Sequence, residues 1–357
     1  MDKAQYLKPC LVIGTGFHRW VLGESMAASF RPLLDWNELL LRVGAGLGIA
    51  MSRTDCSLPL HWERMLTTGL EDGVCTKIPV DTTGKLTASR LELLAKQQAV
   101  AVLAEYQADY PVHSQRARLP GCDVWGSVVS LNFDAHWLAS APIRWNHKHS
   151  NVGLTQPVLA ERSVFAQEIR RLNNYVSFKQ QGSARRLWFP NGFIGQPASL
   201  RLGLREFGFQ PIAIQHAFAA LKAFERQAGP FEQRIGFVRA ALDAIPAPIR
   251  HVDAVWVPLP LSLPLTWVTE MLYRPVFFAG VGLSDAEVGL WWLMVQRARN
   301  LANVKKISRP RAYILVHEND ARLGFWRTYP CGTEPLICSS WDEGWLLLDE
   351  AARSMAK

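Results

Sequence analysis

Residues 10–17 read Cys-Leu-Val-Ile-Gly-Thr-Gly-Phe. An apolar run with β-branched Val12 and Ile13 stops at a Gly-x-Gly pair, the pattern of a buried strand breaking into a glycine turn. Three further runs repeat that logic along the chain. Residues 124–131 (VWGSVVSL) deliver Asn132-Phe133-Asp134, residues 275–279 (PVFFA) deliver Gly280-Val281-Gly282, and residues 312–316 (AYILV) form the fourth. Between them lie amphipathic helical patterns at 35–43, 88–106, 158–172, 216–226, 231–245 and 285–301. The last opens on Ser284-Asp285-Ala286-Glu287, a capping-box pattern. Strands alternating with helices predict an α/β fold: a Rossmann-like, mostly parallel sheet with helices on both faces. The expected organisation is one domain over 1–357 with a smaller helical insertion within 143–182. Ligands of such folds bind beyond the carboxyl ends of the strands, so three glycine-rich or polar strand ends are expected to face one crevice.

Composition narrows the class. The chain has 357 residues, of which 49% are hydrophobic and 20% charged, enough to bury a large core and far from the disordered regime. The net charge of +8 favours anionic partners. Its basic pairs, Arg170-Arg171, Arg185-Arg186 and Lys305-Lys306, are short and scattered, which reads as solvated surface and leaves nucleic acid at most an indirect partner. None of the six cysteines forms a C-x-x-C pair, so no zinc site is expected. The opening MDKAQYLKPC lacks a secretory pattern, which makes free thiols and a cytoplasmic location the expectation. The most apolar stretch, 255–267, is short and proline-rich for a membrane span, so no membrane partner is expected.

Several constellations have both a chemical and a plain structural reading. Gly14-Thr15-Gly16 offers backbone N–H groups to a pyrophosphate, or is a structural turn; Arg19 stands where a dinucleotide fingerprint would place a third glycine. Asp35 falls near the spacing of a ribose-binding acid, but the preceding SFRPLL has little strand character. Asn132 and Asp134 would bond sugar hydroxyls or orient a water, or close the strand as an Asx turn. Residues 187–208, dense in Gly, Pro and aromatics, read as an ordered loop with a tight turn at Asn191-Gly192. His147 and His149 would share one face of a strand and bind a metal, yet no third ligand lies nearby and a solvated loop is favoured. His18, His136 and His216 read as packed or capping residues, any of them available as a base. Trp291 and Trp292 read first as hydrophobic anchors, then as interface candidates.

In order along the chain, LVIGTGF (11–17), SLNFD (130–134), WFPNG (188–192) with SLRLG (199–203), and FFAGVGLSDAE (277–287) resemble the sirtuin-like (silent information regulator two) superfamily, in particular its bacterial NAD-hydrolysing branch found in anti-phage defence. That resemblance implies that Gly14, Thr15, Gly16 and Phe17 wrap the phosphates of NAD. It implies that Asn132 and Asp134 contact the nicotinamide ribose and organise the reacting water, and that Gly280, Gly282 and Ser284 hold the adenosine half. It further implies a homo-oligomer working with a partner protein of a defence system. The four-cysteine zinc ribbon of the family's deacylases is missing, which points to the hydrolase branch. The family's catalytic histidine precedes a glycine, and here that position is Asn191 before Gly192. An amide accepts no proton near neutral pH. Two expectations follow: a NAD glycohydrolase in which Asn191 keeps only the hydrogen-bonding part of the histidine's work, or a catalytically silent NAD- or nucleotide-binding sensor or assembly subunit. Asn191→His is expected to maintain or raise hydrolysis.

Overall fold

The computed structural model describes residues 7–71, 88–138, 144–145, 171–172, 174–180, 183–243, 265–283, 287–305, 309–328 and 331–356. Eight strands form one sheet: β1 (Cys10–Ile13), β2 (Ser127–Ser130), β3 (Arg144–Trp145), β4 (Tyr175–Gln180), β5 (Ser183–Trp188), β6 (Val276–Ala279), β7 (Ala312–His317) and β8 (Thr333–Cys338). Their order is β3-β4-β5-β2-β1-β6-β7-β8. From β5 to β8 all neighbours run parallel, and β4 joins β5 antiparallel, with the two-residue β3 antiparallel to β4. The expected mostly parallel α/β sheet is what forms.

The helices are α1 (Thr15–Ala27), α2 (Arg31–Leu34), α3 (Trp36–Leu47), α4 (Leu58–Glu71), α5 (Ala88–Ala104), α6 (Gln115–Arg118), α7 (Leu204–Ala228), α8 (Phe231–Asp243), α9 (Trp267–Tyr273), α10 (Val288–Asn300), α11 (Leu323–Thr328) and α12 (Trp341–Ala356). Strand alternation sends side chains to two cores. Leu11, Ile13, Val128, Phe277 and Ala279 pack with residues of α1, α3, α4, α5 and α12, whereas Cys10, Val12, Val129, Val276 and Phe278 pack with residues of α7 to α11. Both faces of the central strands are therefore covered, which is why these strands read as unbroken apolar runs. Among the described residues no helix is long and apolar enough to cross a membrane.

Several elements depart from expectation. The helix expected from 216 to 226 is the second half of α7, whose first turn falls in the segment expected to be loop. The Glu206 carboxylate makes that start possible by accepting from the N–H groups of Leu202 (2.8 Å) and Gly203 (3.1 Å). The helix expected from Asp285 begins at Val288, with Glu287 at its N-cap and no side-chain bond to the helix end; Ser284 lies outside the described residues. The helix start is thus corrected from Asp285 to Val288, and the Glu287 side chain makes no capping bond to the described helix end. Most of the expected insertion at 143–182, including residues 158–170 of the expected helix and the pair His147 and His149, also lies outside the described residues. The parts that are described, β3 and β4, extend the sheet.

The surface reading of the basic pairs holds at Lys305, which is exposed, and fails at Arg171, Arg185 and Arg186. Arg185 and Arg186 sit in β5, buried, with Arg185 donating to the carbonyls of Gly121 and Cys122 and Arg186 to that of Leu242. Arg171 is buried as well, against Glu206 at 2.7 Å. Desolvated guanidinium groups persist inside a protein only when bonds of this kind replace water.

Candidate functional site

The loops after β1, β2, β5 and β6 meet at one end of the sheet. Residues 14, 132, 191 and 282, one from each loop, border a cavity of about 200 Å³, which is closed by Trp36 at the start of α3, Leu58 at the start of α4, Phe207 of α7 and Glu287 ahead of α10. A larger cavity of about 1070 Å³ lies across the amino end of α1, bordered by Thr15, Gly16, Gly280 and Gly282. Arg19, Arg31, Arg53, Arg116 and Arg322 line it, together with Trp20, Trp341 and Trp345. Thr15, Val281 and Gly282 border both cavities, so the two adjoin at the first residue of α1. The larger cavity stands at the upper end of the roughly 300–1,000 Å³ typical of ligand sites.

The glycines serve a contact between loops. Gly16 N–H donates to the Gly280 carbonyl at 2.9 Å, and Phe17 N–H donates to that of Gly14 at 3.0 Å. Gly280 has φ +63°, and a Cβ there would stand 2.3 Å from the Phe17 nitrogen. The amides of Gly16 and Phe17 are therefore spent within the protein, and the glycines are required for the close approach of the β1 and β6 loops. Phe17 points away from both cavities: it is fully buried, edge-on to Trp345 with ring centroids 5.5 Å apart.

Asn132 is a cavity residue whose polar capacity folding leaves unused among the described residues. It is 3% exposed, it lines the smaller cavity, and neither its amide nitrogen nor its carbonyl oxygen has a hydrogen-bond partner among the described residues. Burying an unsatisfied amide costs about 1–3 kcal/mol, a cost that a ligand with matching donor and acceptor would remove.

Asn191 lines the same cavity with its amide fully engaged. Its nitrogen donates to the Leu131 carbonyl at 2.9 Å and its oxygen accepts from Arg201 at 2.8 Å. It ties the β5 loop to the β2 loop. The buried Arg201 of SLRLG, which sequence reasoning left without a role, holds it there, stacked 5.8 Å above the Phe207 ring.

Asp134 turns away from the cavity. Its carboxylate accepts from His136 N–H at 3.0 Å, the Asx turn, and pairs with His18 Nε2 at 3.2 Å. His18 Nδ1 lies 2.7 Å from the Tyr110 hydroxyl, and His136 Nε2 lies 2.9 Å from the Leu103 carbonyl. Burial alone would push the Asp134 carboxyl up; the imidazoles of His18 and His136 outweigh it and hold the carboxyl well below the usual range. Burial, with Asp134 adding to it, pushes the Tyr110 hydroxyl well above its ordinary value. His18 and His136 are thus packed residues behind the site, and His216 is exposed on α7. No histidine is among the described residues lining the smaller cavity.

Glu287 is the one ionisable side chain among those lining residues. Burial raises its carboxyl from the ordinary value, and the positive charge of Arg201 partly offsets that rise. The sequence signal that could have found it is the acid at the end of the FFAGVGLSDAE motif, there read as a cap. Asp35 borders the larger cavity, but its carboxylate caps α3 through Asn37 N–H (2.9 Å) and pairs with Arg53.

No protein-family model matches the chain, and a search of curated proteins finds no match.

Proposed function

We propose that this protein is a NAD hydrolase of the sirtuin-like kind, releasing nicotinamide and ADP-ribose, and that it acts in bacterial anti-phage defence. The observation that carries the reading is the unpartnered Asn132 carboxamide in a cavity that adjoins the larger arginine- and tryptophan-lined one at Thr15. On this reading the nicotinamide ribose occupies the smaller cavity and the Asn132 amide bonds its hydroxyls or the water. The pyrophosphate passes the amino end of α1, where the helix dipole and Arg19 favour negative charge. The adenosine half takes the larger cavity.

Cleavage of the bond between ribose and nicotinamide spreads positive charge over the ribose while the base leaves as a neutral molecule. The protein's task is to bind, orient and supply water. Purified protein incubated with NAD should release nicotinamide, and Asn132→Ala should abolish that release. An Asn132→Ala variant that turns over NAD like the wild type would refute the placement.

The second reading, a nucleotide-binding sensor without turnover, draws on the committed amide of Asn191 and on the lack of a histidine lining the cavity among the described residues. NAD bound stoichiometrically with no nicotinamide released would select it.

A further inference from the structure

Hydrolysis needs a group to accept the water's proton, and the residue at the position where the resembled family has histidine cannot do so. Asn191 Nδ2 donates to a carbonyl and its Oδ1 is occupied by Arg201. The α3 and α4 starts contribute Trp36, Ser57, Leu58 and Pro59 to the cavity wall, the β2 loop contributes Leu131, Asn132 and Phe133, and α7 contributes Phe207. None of these titrates near neutral pH. The remaining wall residue with a proton-accepting side chain is Glu287, half-buried at the N-cap of α10, its carboxylate not used to cap that helix.

We propose that Glu287 is the general base of this site, facing the same cavity as Asn132 and taking a proton from the water that attacks the ribose. The inference rests on the NAD-hydrolysis reading. As the water oxygen bonds to C1′ of the ribose, the C1′–N bond breaks and its electron pair stays with the ring nitrogen of nicotinamide. The water's proton passes to Glu287 and then to solvent, so NAD and water give nicotinamide, ADP-ribose and a proton. Arg201 has a second task here. Its charge favours the ionised carboxylate, and its bond to Asn191 Oδ1 holds it beside the cavity. Burial works the other way and makes the carboxylate more basic than an exposed glutamate, which suits a base operating near neutral pH.

The test is the pH dependence of kcat/KM for the wild type, Glu287→Gln and Glu287→Asp, with ADP-ribose binding followed by calorimetry. The base works ionised, so wild-type activity should fall as pH drops through a value above the ordinary glutamate range. Glu287→Gln should lose about 10²–10⁴-fold in kcat, lose that acid limb and keep its affinity for ADP-ribose, with Glu287→Asp recovering part of the rate. A glutamine variant within about threefold of wild type, or one that keeps the same acid limb, overturns the assignment while Asn132→Ala still reports on the NAD-hydrolysis reading. ADP-ribose affinity lost together with kcat also overturns it, since the residue would then hold the fold of the site. Wild-type protein that binds NAD without turnover removes the base role together with the hydrolase reading and selects the sensor; wild-type protein that neither binds nor cleaves NAD removes the NAD reading altogether.

Discussion

Replacing Glu206 by glutamine should destabilise the protein by about 3 kcal/mol at pH 7, and the loss should fade in acid. Glu206 is 3% exposed, its Oε1 lying 2.7 Å from Arg171 and 2.8 Å from Lys96, and its Oε2 accepting from the amides of Leu202 and Gly203. Arg171 in turn donates to the carbonyls of Ser199 (2.6 Å) and Leu200 (3.0 Å). One carboxylate thus fixes the segment leading to Arg201. Burial pushes this carboxyl up, but Arg171 and Lys96 outweigh burial and bring it from 4.5 down to about 2. That fall corresponds to roughly 3 kcal/mol, in line with the roughly 3–5 kcal/mol lost when one partner of a buried ion pair is removed. Because the folded carboxyl titrates below the unfolded one, its contribution is complete above pH 4.5 and drains away as pH falls toward 2. Urea unfolding of wild type and Glu206→Gln at a series of pH values measures the gap. It should be constant from pH 7 to about 5 and then narrow by about 1.4 kcal/mol for each pH unit below that. A gap under about 1 kcal/mol at pH 7, or one that stays the same down to pH 3, would refute the reasoning.

Gly280→Ala should cost roughly 2–4 kcal/mol, since it combines a left-handed backbone with a Cβ 2.3 Å from the Phe17 nitrogen; a melting temperature equal to wild type would contradict the interlocked loops. Asp134→Asn should lower urea stability by about 2–3 kcal/mol through loss of the charge paired with His18, yet its folded fraction should still release nicotinamide, because the carboxylate does not line the cavity. Asn191→His is now expected to lower stability by about 1–3 kcal/mol and leave turnover no higher, because the imidazole must take the place of both the donor to Leu131 and the acceptor of Arg201; a raised rate of nicotinamide release would restore the earlier expectation.

The legible strands were those buried on both faces. β1, β2, β6 and β7 announce themselves because every residue can be apolar, whereas β5 hides behind Arg185 and Arg186, whose charges are met by carbonyls of Gly121, Cys122 and Leu242 and by the Glu270 carboxylate, all far away in the chain. The first turn of α7 was missed for a related reason. Glu206 caps a helix that composition reads as loop, and its own burial depends on Arg171 and Lys96.

By itself the sequence determined the parallel α/β class and the arrival of Gly14, Asn132 and Gly280 at the carboxyl ends of neighbouring strands, because apolar runs and the glycines that end them are local properties. Tertiary structure alone decided how each polar side chain at those ends is used. Among the described residues Asn132 is left unpaired, Asn191 is bound to Arg201, Asp134 turns inward to His18, and Glu287 joins the cavity wall. Those outcomes depend on which distant groups supply a partner once water is excluded, and residue spacing holds no record of that.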